Sequence, residues 1–275
     1  MQATHVTVAS ALLITAGFCI ASSTPAGTRP RATAVAHPHT RTTGTGTGTS
    51  SPNPPANIPA TPDFTDACWG NGSPSAQQSD ECRSEALDAI NNAHAIEGIR
   101  PVRLPGNFWS LPVSRQLFVI ANLERVSRGL TPVRGLTRQI NRWAASGAQH
   151  NEDPSARGWR LSSGARIRAW AANWAADFNA LTADYSWMYL DGWAGTTGTT
   201  SNIDCTSPTA AGCWGHRDNI LDRYDGSHSL AAGAGATARG WEGYFNSYTQ
   251  LFVQYAGRRP RFFYTWRDAT RAGAH

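Results

Sequence analysis

Lysine is absent from this 275-residue chain, whose 24 basic residues are all arginine. That absence reads as base-composition bias in the coding sequence and carries no functional weight. Other absences exclude more. The first 21 residues contain no arginine, aspartate or glutamate. Their apolar run, Val6–Ile20, falls short of the ~20 residues a membrane-spanning helix needs. With small residues at Ala21 and Ser22 to accept a peptidase, residues 1–21 read as a secretory signal peptide, and Cys19 would be discarded with it. Residues 22–62 lack large apolar side chains almost entirely and include TGTGTGTSSPNPP. Such a segment buries too little surface to fold and reads as a disordered linker or stalk.

Charge is equally uneven. Residues 22–62 carry Arg29, Arg31 and Arg41 without an acid, and the basic tail 258–275 carries five arginines against Asp268. The chain between them holds 16 arginines against 18 acids, a net of −2. A nucleic-acid groove needs its arginines on the folded body, so nucleic acid is not an expected partner. Loose association with an anionic cell envelope is compatible with this distribution. The expected location is secreted or extracellular, with the cell wall as a site of association, and no stable membrane span.

Export places the cysteines in an oxidising compartment. Cys68, Cys82, Cys205 and Cys213 form two sequence-local pairs, which favours 68–82 with 205–213 among the three possible connectivities. Zinc is the rival reading, but intervals of 13 and 7 residues do not match the short ligand spacing of zinc sites.

From Asp63 onward the pattern is globular. Ser84–Glu97 places Ala86, Leu87, Ile90, Ala93 and Ile96 on one helical stripe, ended by Gly98 and Pro101. Further helices are expected over Ser114–Arg128 and Leu136–Gly147, and from Asp177 or Thr182 to Met188. Leu230–Ala238 and Tyr244–Tyr255 read as strands, the second from the period-two alternation of SYTQLFVQY. Helices first and strands later favour an α+β fold over repeated βαβ units.

Five motifs in order carry a resemblance. Asn122-Leu-Glu-Arg125-Val-Ser-Arg-Gly129-Leu130-Thr-Pro132-Val133 is followed by Trp187-Met188 and Gly215-His216-Arg217-Asp218-Asn219-Ile220-Leu221. Gly233-Ala-Gly235 and Tyr248-Thr-Gln250-Leu-Phe252 complete the series. Together they resemble the signatures of the CAP superfamily, the SCP-like domain of cysteine-rich secretory proteins, antigen 5 and pathogenesis-related proteins. The helix and loop ALDAINNAHAIEGIRPVRLP is similar to the longer, exported actinobacterial form of the domain. The resemblance implies a three-layer α-β-α sandwich with an extra disulfide-closed loop, a CAP-like domain over 63–257 and a central cleft.

In metal-binding members that cleft holds two histidines and two acids. His216 takes one histidine position, and His150 is the residue available for the other. Ala165 stands where the family has glutamate, and Leu190 occupies the second acidic position with Asp191 next to it. No complete metal set results, so no cofactor is expected. The cleft-lining candidates are His216, Arg217, Asn219, Trp187, Asp191 and Trp214, facing a small ligand, glycan or lipid. Each also has a structural role open to it. Arg217 and Asp218 could pair or cap a short helix; Trp187, Trp193 and Trp214 could serve the core; Arg125, rather than its neighbour Glu124, should point inward.

Enzymatic readings must find their groups. The chain has no Gly-x-Ser-x-Gly, His-Glu-x-x-His, Walker or dinucleotide motif. Paired cysteines offer no thiolate nucleophile. His216 with Asp191 is the candidate catalytic pair, and Asp184, Asp191, Asp204 and Asp218 could supply two carboxylates for a glycosidase. A binding or envelope-associated module is therefore the leading expectation, ahead of a hydrolase of envelope polymers or proteins and of a scaffold with a degenerate cleft.

Overall fold

A computed structural model describes residues 53–195, 202, 204–222 and 229–275. The expected signal peptide, and the linker as far as residue 52, lie outside these residues. In chain order the elements are α1 (Thr65–Trp69), α2 (Asp80–Ile96), α3 (Val113–Ser127), β1 (Gly135–Leu136), α4 (Arg138–His150), β2 (Arg166–Asp177) and α5 (Ala180–Tyr189). They are followed by α6 (Gly215–Leu221), β3 (Ser229–Trp241), β4 (Phe245–Ala256), β5 (Tyr264–Thr265) and α7 (Trp266–Arg271).

The strands form one mixed sheet in the order β2-β4-β3-β1-β5, with β1 parallel to β3 and the other pairings antiparallel. Alternation along β4 divides the core. Tyr248 and Phe252 join a cluster with Ile90 of α2, Leu117 of α3 and Leu181 of α5. Leu251, Val253 and Tyr255 point the other way, against Ile140 and Ala144 of α4. Helices thus cover both faces of the sheet, and each fully buried Leu or Ile adds ~1.5–3 kcal/mol.

The approach of α4 is close. A Cβ at Gly233 would stand 2.2 Å from the Ile140 carbonyl carbon, and one at Gly235 2.5 Å from the Ala145 Cα. Glycine is required there because backbone, not a movable side chain, fills the space.

Local chemistry sets the ends of the helices. Ser79 caps α2 by accepting from the Cys82 amide, Thr137 caps α4 by accepting from Ile140, and Asn179 with Thr182 forms a capping box at α5. Each cap contributes about 1 kcal/mol. Both cysteine pairs, Cys68–Cys82 and Cys205–Cys213, are disulfides, with Cα separations of 4.7 and 4.4 Å.

Several expectations need correction. Ile96 is 68% exposed and leaves the α2 stripe, while His94 is fully buried in its place. Leu136 belongs to β1, so the following helix begins at Arg138. Strand β2 was not foreseen, because its second half is buried on both faces and its alanine-rich run shows no alternation. Residues 258–275 are not a loose tail: β5 pairs with β1, Ala269 and Ala274 are buried, and Arg103 and His275 exchange backbone hydrogen bonds of 2.7 and 3.2 Å. The folded body also starts before Asp63, since Ile58 is buried and its amide donates to the Tyr189 carbonyl at 2.9 Å. No described helix is long and apolar enough to cross a membrane.

Candidate functional site

Disulfide Cys205–Cys213 closes a loop that delivers the chain to Trp214, whose φ of 63° turns it into α6. The first amides of that helix need acceptors. Asp191, just past the end of α5, supplies them: Oδ2 accepts from the amides of His216 at 2.7 Å and Arg217 at 3.1 Å. Its Oδ1 meets His216 Nδ1 at 2.7 Å and accepts from Asn202 Nδ2 at 2.7 Å. A carboxylate at a helix start is favoured by both the open amides and the helix dipole.

His216 and Asp191 are both fully buried. Burial alone would lower the histidine pKa, but the charge and hydrogen bond of Asp191 outweigh it, with added effect from Asp153 and Asp204, and hold the imidazole above its ordinary value. The other ring nitrogen, Nε2, is buried without a hydrogen-bond partner. Asn173 of β2 ties the backbone of the helix to the sheet, donating to the His216 carbonyl at 3.2 Å.

A second polar cluster lies beneath this helix. His94 Nδ1 faces the Arg100 carbonyl at 2.6 Å and Nε2 faces Glu124 Oε2 at 3.0 Å. Two acceptors on one ring require a proton on each nitrogen, so His94 is an imidazolium. Burial would depress its pKa, yet Glu124 holds it above the ordinary value. Glu124 also accepts from Arg128 and, at 2.9 Å, from the Tyr189 hydroxyl. Its pKa sits well below the usual carboxylate range: burial works upward, and the His94 and Arg128 charges overcome it.

Glu97 bridges Arg128 and Arg217. Asp184 completes the group. Its oxygens have no partner other than the Glu124 carboxyl, and burial followed by the Glu124 charge pushes its pKa well up. Burial and the Glu124 charge thus both favour the protonated form of Asp184.

The sequence candidates fall into separate roles. Asp191 and His216 come together, with Asp204 and the unforeseen Asp153 near enough to act on the imidazole. Arg217 is buried beneath them, donating to the Met188 carbonyl at 2.7 Å and pairing with Glu97. It does not pair with Asp218, which accepts from Asn53 at 3.1 Å. Asn219 is half-buried and donates to the Ala172 carbonyl at 2.7 Å. Trp187 is a core residue whose indole N–H donates to the Trp174 carbonyl at 3.0 Å. Trp214 lies over Gly192, where a Cβ would meet its ring at 2.2 Å.

His150 is exposed at the end of α4, with Nδ1 on the Ser146 carbonyl at 2.7 Å. Among the described residues no group of three histidines, cysteines or acids is placed to hold a metal ion. Of the carboxylate candidates, Asp184 belongs to the second cluster. Glu124 and Arg125 both point inward, contrary to expectation, because α3 is covered on nearly every side: Arg125 donates to the Ile220 carbonyl at 2.6 Å while Glu124 holds His94.

A groove of about 730 Å³ lies elsewhere, lined by α4, the far ends of β3 and β4, and residues around Gln77. None of the six cleft candidates lines it, and it carries Arg142 and Arg239 without an acid. Comparison of the chain with protein-family models, curated proteins and solved structures returns no match.

Proposed function

We propose that the chain is an exported, non-enzymatic binding module of the CAP type, associated with the cell envelope, whose ligand meets the protein beside His216. The ordered motifs support the family, as does a sheet with helices on both faces, read as a three-layer α-β-α sandwich with the loop 205–213 added. One observation carries the ligand reading. His216 Nδ1 is fixed on Asp191, whereas Nε2 is buried without a partner. A buried polar atom left without a partner costs about 1–3 kcal/mol, which a polar group of a glycan, lipid or small molecule would recover once the residues covering the ring part to admit it.

The Asp191–His216 pair also has the form of a general base oriented by a carboxylate, which favours a hydrolase as the second reading. Complete burial of both side chains obliges either reading to open the site, and weighs more against turnover, which needs substrate and water to enter and leave repeatedly. Nitrogen-detected NMR of the His216 ring during addition of peptidoglycan fragments, envelope glycans and lipids tests both. A saturable shift at Nε2 that vanishes in His216→Gln, with the ligand recovered intact, is the expected result. Cleaved ligand would establish the hydrolase, and a ring unmoved by the whole panel would leave the scaffold.

A further inference from the structure

Trp159 is 81% exposed, more than any other large apolar side chain among the described residues. It sits at the tip of a loop in which Arg157, Gly158, Trp159 and Arg160 are all exposed, so the tip projects from the body. The tip is held from behind: the Ile167 amide donates to the Trp159 carbonyl at 2.9 Å, and Arg160 bridges to Arg166 at the start of β2.

The sheet adds further arginines to this end. Arg166 and Arg168 are exposed on β2, where a register shift between Ile167 and Ala169 sets Arg168 outside the ladder. Pairing of Arg166 with Ala256 brings in the exposed Arg258 and Arg259, and Ser163 donates to the Arg258 carbonyl at 3.2 Å. Among the described residues, none of these six arginines is in an ion pair. Arg157 donates to Ser146, Arg160 to the Gly164 carbonyl, and Arg259 lies over the Phe262 ring.

We infer that this end of the sheet is a docking surface for an anionic phospholipid bilayer, with Trp159 entering the headgroup region among the arginines. Arginines on an edge strand also discourage edge-to-edge pairing, but that role does not account for an exposed indole between two of them. Trp favours the membrane interface, and basic residues are drawn to anionic headgroups. The tip is exposed at four successive residues and lies outside the groove, which suits a planar surface better than an enclosed saccharide. The chain's own linker is a poor occupant, since its charged residues are arginines too.

The choice of a bilayer rests on the envelope-facing reading above, whereas the patch itself does not depend on His216. The test is co-sedimentation of the full chain with vesicles of pure phosphatidylcholine or with 30 mol % phosphatidylglycerol. Each arm is compared with Arg157→Ser/Arg160→Ser and Trp159→Ala, so that any contribution of residues 1–21 cancels. Each arginine near the surface accounts for about a fivefold change in partition, so the double variant should bind anionic vesicles roughly thirtyfold more weakly. Trp159→Ala should weaken binding at high salt as well as low, and unchanged circular dichroism melting would show that the variants fold.

Variants that sediment like the parent chain would overturn the inference. So would equal arginine dependence on neutral vesicles, or binding of these arginines to soluble polygalacturonate without binding to vesicles. None of these failures touches the His216 ring titration.

Discussion

Replacing Asp191 by asparagine removes one negative charge while keeping the shape of the side chain. The carboxylate serves four donors: His216 Nδ1 at 2.7 Å, the His216 amide at 2.7 Å, the Arg217 amide at 3.1 Å and Asn202 Nδ2 at 2.7 Å. An amide has one accepting oxygen, so its NH2 must face either the ring or the two helix amides, stranding at least one buried donor. The imidazolium loses its counter-charge in the same step. Removing one partner of a buried charged pair costs about 3–5 kcal/mol, which for a domain of this size lowers Tm by roughly 6–20 °C. The pH dependence has a definite sign. Burial lowers the His216 pKa and Asp191 more than restores it, so the folded value exceeds the unfolded one. The ion pair therefore contributes fully below an unfolded pKa of about 6.5 and fades as pH rises through the higher folded value. Urea unfolding should show the largest gap between parent and variant near pH 6 and a smaller one at pH 9. The His216 ring should titrate lower in the variant. A loss below about 1 kcal/mol at pH 6, or a gap that widens with pH, would refute this account of the pair.

Gly233→Ala should destabilise by at least about 1–3 kcal/mol in chemical denaturation. Its Cβ would sit 2.2 Å from the Ile140 carbonyl carbon and 2.4 Å from the Asn141 nitrogen, and only a shift of α4 relieves the clash; a neutral result would mean that α4 does not rest on β3 as described. Asp184→Asn should alter the pH profile rather than lower stability throughout. Burial and Glu124 hold the Asp184 pKa above its unfolded value, so this residue's contribution is complete at low pH and is lost as pH rises. The asparagine keeps the shape of the side chain but cannot ionise. The variant should gain on the parent between pH 4 and pH 8, and parallel stability curves would show that Asp184 is not the protonated member of the pair.

The division between what was legible in the sequence and what was not follows the range of the forces involved. Periodicity and capping are local, so α2, α3 and β4 could be read from Ala86, Ile90, Leu117 and the SYTQLFVQY alternation. Loop closure is nearly local too, which is why short intervals identified both disulfides. Strand β2 escaped because its alanine-rich run, RIRAWAANWAAD, carries no alternation to read, and the 258–275 segment escaped because its partner, β1, lies more than a hundred residues earlier in the chain. The site divides in the same way. The sequence marked His216, Arg217 and Asp191 as chemically able residues. Only the tertiary structure decided that Asp191 caps α6 and grips the imidazole, that Arg217 turns away to Glu97, and that His94, Glu124, Asp184, Arg128 and Tyr189 share one buried cluster. Charges in a core are tolerable only with partners, and those partners come from α2, α3, α5 and α6 at separations no local pattern records.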